Sequence, residues 1–311
     1  MNLKEITGRI PEWGKAFLLA LGLLLMIHLF VLRWVSVRST SMYSTLVPGD
    51  LLGVERWPLW TGLQKNDIIV FRDPVQDDRP RRQRQLLVKR ITGIPGDEVE
   101  IRAGVLYVNG VEVPPAPGQT SSWSIRLKNG ADASELLLEL GLPADYVMPG
   151  HTVIDLPLND SLAARSKKHP EVISAEPRSP STGSRANLFP FGPNFRWNND
   201  NYGPLRVPGV GDTVAITPFS LPIFDRLISR YEHNVVEVSE GKMLINGKPA
   251  DHYVIQQDYY FVLGDSRDHS SDSRYWGFVP ADQIVGRAGF ILLNARSWGE
   301  HAIADRTLKQ L

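Results

Sequence analysis

Ser41 stands in the run Ser39-Thr40-Ser41-Met42-Tyr43-Ser44-Thr45-Leu46, a few residues after an apolar stretch. A serine hydroxyl becomes a useful nucleophile only when a base takes its proton. Serines in Ser/Thr-rich stretches usually belong to turns or caps, so residue type alone leaves Ser41 open. Lys89 is the base with the unusual setting: Leu86-Leu87-Val88 precede it and Ile91 follows at alternate spacing. An ammonium inside an apolar strand must be paired or discharged. Desolvation disfavours the charged form, and a fall of about three pKa units corresponds to about 4 kcal/mol. The alternative is an exposed lysine on an alternating strand beside Arg90. A third segment, residues 264–280, reads G-D-S-R-D-H-S-S-D-S-R-Y-W-G-F-V-P and by composition is equally a solvated loop.

Other chemistries have less to work with. There are no cysteines, which removes disulfides, thiolate zinc sites and a thiol nucleophile. The seven histidines are scattered without an H-E-x-x-H pattern, so no metal site and no cofactor are expected. No G-x-S-x-G elbow surrounds any serine, which disfavours a Ser-His-Asp hydrolase. Lys+Arg and Asp+Glu both total 34, and a zero net charge argues against nucleic acid as a partner.

These residues must be positioned by a body of short strands. Residues 51–54, 67–71, 86–91 and 99–101 are apolar runs broken by Gly, Pro and Asp, and read as strands. Asn109-Gly110 and Asn246-Gly247 each join two short apolar runs and predict type I′ hairpins, with Gly104 and Gly241 ahead of them. Between them, residues 114–253 change character. Asp132 with Glu135 suggests a capped helix through Leu140, residues 162–169 a second, and Ser220 a third running to Arg230. Residues 177–184 read as a loop, 189–205 as an ordered irregular segment, and 211–216 and 234–238 as strands. The expected plan is a mostly β protein. An N-terminal segment (1–15) and a transmembrane anchor (16–35) precede a catalytic core in two halves, 36–113 and 254–311, around an inserted domain, 114–253.

Residues 16–32 carry no formal charge and would reach about 26 Å as a helix, near the lower limit for a span. Trp34 lies where aromatic belts sit. The run is longer than the apolar region of a cleavable signal peptide, which favours an uncleaved anchor. Lys4, Arg9 and Lys15 precede it and Arg33 and Arg38 follow, a weak bias towards a cytoplasmic N-terminus.

The serine–methionine motif, Lys89 followed by Gly93-Ile94-Pro95-Gly96-Asp97, and the 264–280 segment, in this order behind one anchor, resemble the type I signal peptidases. Those Ser/Lys proteases remove signal peptides from exported preproteins. The resemblance covers roughly residues 35–109 and 259–288. It implies Ser41 as nucleophile and Lys89 as general base. Ser39 and the Ser41 N–H would form the oxyanion hole. It implies support from Gly264, from Ser270 hydrogen-bonded to the lysine, and from an Asp272–Arg274 ion pair. Thr40 stands where glycine is common, Ser44 where proline is common and His269 where asparagine is common. The resemblance further implies cutting after small residues, preproteins and the lipid bilayer as partners, proximity to the export translocase, and a single-pass protein of the plasma (inner) membrane with its catalytic domain outside. Val37, Met42 and Leu87 are expected pocket walls, and Trp57, Leu59 and Trp60 either interfacial or core residues. A self-cleaving repressor lacks its basic module here. A degraded relative that binds exported chains without cutting them rests only on Thr40 and Ser44.

Overall fold

The computed structural model describes residues 11–26, 31–180, 183, 187–239, 242–294 and 306–311. Lys4, Arg9, His28, Gly241, His301 and most of 181–186 lie outside these residues. The fold is mostly β, with 35% strand and 19% helix.

A single antiparallel sheet carries the site. Its strands run Leu32–Ser36, Asp50–Glu55, Ile284–Asn294, Ile68–Arg72, Leu86–Gly93, Tyr259–Leu263 and Val279–Pro280, with Lys309–Gln310 paired to Ile284–Asn294. Ile284–Asn294 is bonded between Asp50–Glu55 and Ile68–Arg72, so the two expected halves interleave in one sheet. Val35, Met42, Leu46, Leu52, Val54, Val70, Val285 and Ile291 pack in one cluster, and Ile69, Phe71, Ile91, Val262 and Trp276 in another. Period-two alternation sends neighbouring residues of each strand to these two layers. Both expected hairpins form: Asn109 and Gly110 take φ of 53° and 75°, as do Asn246 and Gly247, the geometry of a type I′ turn.

The 114–253 insertion is divided rather than a single unit. Ser121–Leu127, Val153–Leu158 and Val172–Pro177 form a three-stranded sheet with its own core around Ile125, Leu137 and Leu156. Tyr202–Arg206 instead pairs with Glu98–Arg102 of the first half. Leu205, Val207, Ile216, Leu227 and Ile228 share a core with Val99, Phe261 and Phe278. Burial of those apolar residues against the Glu98–Arg102 layer draws the second part of the insertion into the catalytic body. The expected helices are the short Ser134–Glu139, Asp160–Ser166 and Leu221–Arg226. Asn159 caps the middle one, accepting the Leu162 N–H at 3.0 Å.

The expected anchor also differs. The described part of the helix is Glu12–Met26, about 22 Å long, and residues 27–30 lie outside the described residues. Among the described residues no helix is long and apolar enough to cross a membrane. Leu32–Ser36, the end of the expected span, is strand paired with Asp50–Glu55. Backbone pairing to a half-buried sheet outweighs the apolar run at that end, and alternation buries Val35 there while Trp34 stays exposed.

Candidate active site

Ser41 and Lys89, 48 residues apart in sequence, meet in space. Strand Leu86–Gly93 pairs with Ile68–Arg72 so that Lys89 lies opposite Ile69, deep in the sheet. The lysine is 3% exposed. Its Nζ lies 2.6 Å from Ser41 Oγ and 3.1 Å from the Val88 carbonyl oxygen. Burial lowers the amine to about 8, against the Asp272, Asp265 and Asp73 carboxylates, which raise it. The desolvated amine is thus poised near neutrality, where it exchanges a proton readily. Among the described residues Lys89 has no salt-bridge partner.

Ser41 sits in a tight turn in which the Tyr43 N–H donates to the Thr40 carbonyl at 2.9 Å and the Leu46 N–H to the Met42 carbonyl at 2.8 Å. Ser39 Oγ lies 3.1 Å from Ser41 Oγ and its residue is exposed, on the open side of the pair. Among the described residues no acceptor takes the Ser41 N–H. An unspent N–H beside an open hydroxyl is the arrangement that binds a developing oxyanion.

The turn is held from beneath. The Ser41 carbonyl accepts the Ser266 N–H at 3.1 Å. Gly264 lies against it: a Cβ there would come within 2.4 Å of that oxygen and 2.2 Å of Ser270 Oγ. Gly264→Ala is therefore expected to push the nucleophile turn off the amine and to lower kcat/KM about 100-fold. Steady-state cleavage kinetics check this. Ser270 is buried beside Gly264, but among the described residues its Oγ has no hydrogen-bond partner. Among the described residues Lys89 Nζ bonds Ser41 Oγ and the Val88 carbonyl, and Ser270 does not take the hydrogen bond expected of it.

Asp272 and Arg274 form the expected ion pair. Arg274 Nε and Nη2 donate to the two Asp272 oxygens, each at 2.9 Å, and both side chains are almost fully buried. Asp272 Oδ2 also accepts the Gly264 N–H at 3.1 Å, and Arg274 Nη2 donates to the Arg267 carbonyl. The pair closes the loop that carries Gly264 on to the Ser41 turn.

Several contacts at the site are not read from the sequence. Arg90 makes a fork with Asp265, at 2.8 and 2.6 Å, and Thr45 Oγ1 donates to the same carboxylate at 2.5 Å. The signal was there: Lys89 and Arg90 are adjacent on one strand, and the second cation needs an anion if it too is shielded. Asp50, fully buried, takes two bonds from Arg306, whose Nη2 also donates to the Thr45 carbonyl at 2.7 Å. Tyr43, from the nucleophile turn, donates to the Leu140 carbonyl at 2.6 Å and packs in the core of the Ser121–Pro177 region.

Of the expected pocket walls, Val37 and Met42 share a cluster with Leu86 and Val88, whereas Leu87 faces the opposite layer with Ile69 and Phe71. One-residue alternation on strand Leu86–Gly93 makes Leu86 and Val88 the neighbours of Met42. Trp57 and Trp60 are exposed, the Arg287 guanidinium lies 4.9 Å over the Trp57 ring, and Leu59 is half-buried. No group of metal-ligating side chains occurs among the described residues.

A mostly antiparallel β body thus sets a buried amine against a serine hydroxyl, a base and a nucleophile in contact. The family model for signal peptidase, peptidase S26, matches residues 10–147 and 206–293, well over half of the chain. The chain belongs to that family. Signal peptidase I of Buchnera aphidicola (subsp. Baizongia pistaciae) is 23% identical over 298 residues, 92% of this chain and 77% of that protein. Signal peptidase I of Bacillus amyloliquefaciens is 33% identical over 113 residues, 36% of this chain and 55% of that protein. A crystal structure of a signal peptidase I from Enterococcus faecalis V583 aligns at 20% identity over 73% of this chain and 96% of its own, with a TM-score of 0.24, too low to bear on the fold.

Proposed function

We propose that this protein is a membrane-bound serine endopeptidase that removes N-terminal signal peptides from exported preproteins, cutting after small residues. One observation carries the mechanism: a 3%-exposed amine, lowered to about 8 by burial, within 2.6 Å of the Ser41 hydroxyl, whose neighbour Ser39 is exposed. Neutral Lys89 takes the Ser41 proton as Oγ adds to the scissile carbonyl. Ser39 Oγ and the Ser41 N–H hold the resulting oxyanion. The Lys89 ammonium returns its proton to the leaving amine, and an acyl-enzyme remains. Water, deprotonated by Lys89, attacks the ester and restores both groups. Ser270 and Gly264 space the turn, and Asp272 with Arg274 holds their loop.

An extended substrate has a place to bind. Strand Tyr259–Leu263 pairs with Arg90, Ile91 and Gly93, so, among the described residues, 86–89 meet a strand on one side alone. Among the described residues Leu32–Ser36 is likewise an edge, bonded only to Asp50–Glu55. A preprotein leaving the export translocase can add as a strand at such an edge. The membrane part of the reading rests on Glu12–Met26. Among its residues only Gly14 is buried, and Phe17, Leu18, Leu19, Leu21, Leu23, Leu24, Leu25 and Met26 are all exposed. The apolar sequence runs on to Leu32, and lipid is the environment that covers such a surface. The cytoplasmic N-terminus and outer catalytic body follow from the basic residues ahead of that run.

Processing of a model preprotein by the detergent-solubilised protein tests the reading, with cleavage expected after a small residue. Peptide bound and left uncut by the wild type would instead fit a binding relative. The pH dependence is sharper still. Only the free amine accepts a proton, so kcat/KM should rise about tenfold per pH unit below about 8 and level off above it. A profile flat from pH 6 to 9 would remove Lys89 as the base.

A further inference from the structure

The residues that lead into strand Ser121–Leu127 lie directly against the Ser41 turn. Thr120 is 2% exposed, and its Oγ1 donates to the Tyr43 carbonyl at 3.0 Å. Among the described residues that carbonyl takes no other hydrogen bond. Two residues earlier, the Gly118 carbonyl accepts the Ser44 N–H at 2.9 Å. Thr120 also joins the supporting loop. Its N–H donates to the Asp265 carbonyl at 2.8 Å and its carbonyl accepts the Arg267 N–H at 2.9 Å, a parallel bridge centred on Ser266. Ser266 in turn donates its N–H to the Ser41 carbonyl at 3.1 Å. Residues 118–120 and 265–267 thus make one two-stranded platform under the turn. The turn rests on it through the Ser41 carbonyl, the Tyr43 carbonyl and the Ser44 N–H.

We propose that Thr120 is a positioning residue: its buried hydroxyl locks the Tyr43 carbonyl to this platform and so fixes the Ser41 hydroxyl and N–H against Lys89. Among the described residues it makes no hydrogen bond to Lys89 or Ser41 and acts through the turn alone. The Tyr43 N–H closes that turn on the Thr40 carbonyl, so holding the Tyr43 carbonyl holds the residues between. A valine of the same shape would leave a buried carbonyl without its donor. The fit is close as well as bonded: a Cβ on Gly118 would come within 2.7 Å of the Thr45 nitrogen and 2.8 Å of its Cα. The Tyr43–Leu140 bond anchors the same turn to the inserted core. The insertion thereby sets the alignment of groups that act as charge develops on the substrate oxygen, an effect expected in kcat rather than in binding.

The inference rests on Ser41 being the nucleophile, and Ser41→Ala assayed alongside keeps the two apart. Thr120→Val, Thr120→Ser and Ile228→Val are made in the full chain and assayed on one preprotein beside wild type. Thermal unfolding is recorded for each, and kinetics are run below every melting temperature. Thr120→Val should lower kcat about tenfold, with KM changed less than about twofold. Thr120→Ser keeps the hydroxyl and should stay within about twofold of the wild-type kcat. Ile228→Val thins a core that shares no residue with the turn, and should lower the melting temperature while kcat holds. Gly118→Ala probes the platform independently should Thr120→Val not fold: the added Cβ displaces Thr45, and kcat should fall. The inference is overturned if Thr120→Val, or folded Gly118→Ala, keeps the wild-type kcat. It is equally overturned if Thr120→Ser loses as much as Thr120→Val, which would leave only methyl packing, or if Ile228→Val loses the same factor, which would mean a general loosening. Wild-type cleavage by Ser41→Ala would overturn the catalytic reading itself, and the positioning role with it.

Discussion

Ser41→Ala and Lys89→Ala are each expected to lower kcat/KM on a preprotein by at least about 10⁴-fold, and the double variant to be no worse than either. The hydroxyl and the amine act as a unit, since an alkoxide without its base and a base without its hydroxyl are equally idle. Lys89→Arg should be as inactive as Lys89→Ala: a guanidinium keeps its proton at any working pH and is too broad for a 3%-exposed slot. Lys89→Met is the telling variant. It fills similar volume while removing an amine that burial has already pushed down to about 8. Activity should vanish while the melting temperature holds or rises, because desolvating the amine no longer costs anything. Cleavage assays run beside thermal unfolding separate chemistry from folding. Wild-type rates in either Ser41→Ala or Lys89→Met would refute the mechanism.

The second large effect falls on stability. Asp272→Ala leaves the Arg274 guanidinium, 2% exposed, without its counter-charge. Removing one partner of a buried pair costs about 3–5 kcal/mol. For a chain of this size that is a fall of about 10 °C in melting temperature. The Gly264 N–H loses its acceptor at the same time, so residual folded protein should also be poorly active. Burial alone would raise the Asp272 carboxyl, but the Arg274 guanidinium and the Gly264 N–H hold it below the usual range. A depressed carboxyl lends stability that is full above its unfolded value of about 3.9 and is lost as pH falls through the lower folded value. Acid unfolding of the wild type should therefore be steeper below pH 4 than that of Asp272→Asn. Equal melting temperatures for wild type and Asp272→Ala would show that the pair holds nothing together.

Local pattern made much of the body readable. Alternating apolar runs became Asp50–Glu55, Ile68–Arg72, Leu86–Gly93 and Glu98–Arg102, shifted by a residue or two at their ends. Asn-Gly made both hairpins, because a type I′ turn needs positive φ at two successive residues. The insertion was harder. Its composition differs from the core throughout, yet Leu205 and Val207 join the catalytic body while Ile125 and Leu156 build a separate core. Composition cannot report which of two apolar layers a strand will join. The far end of the expected anchor, residues 32–35, is read too long for a related reason: hydropathy continues to Leu32, but Leu32–Ser36 finds a strand partner. Strand Leu86–Gly93 shows the same limit at one-residue scale: Leu86 and Val88 share the Met42 cluster while Leu87 lies in the other, and alternation names two faces without saying which meets the turn.

By itself the chain determined a mostly β protein, a lysine placed where its charge is costly, a serine turn and a polar loop of the signal peptidase kind. Each is a property of residues close together in sequence. Tertiary structure alone decided that Lys89 Nζ stops 2.6 Å from Ser41, that Ser270 leaves the amine alone, and that Arg90 and Thr45 share Asp265. Those contacts join segments tens to hundreds of residues apart, and sheet register and core packing, which no local pattern encodes, set their distances.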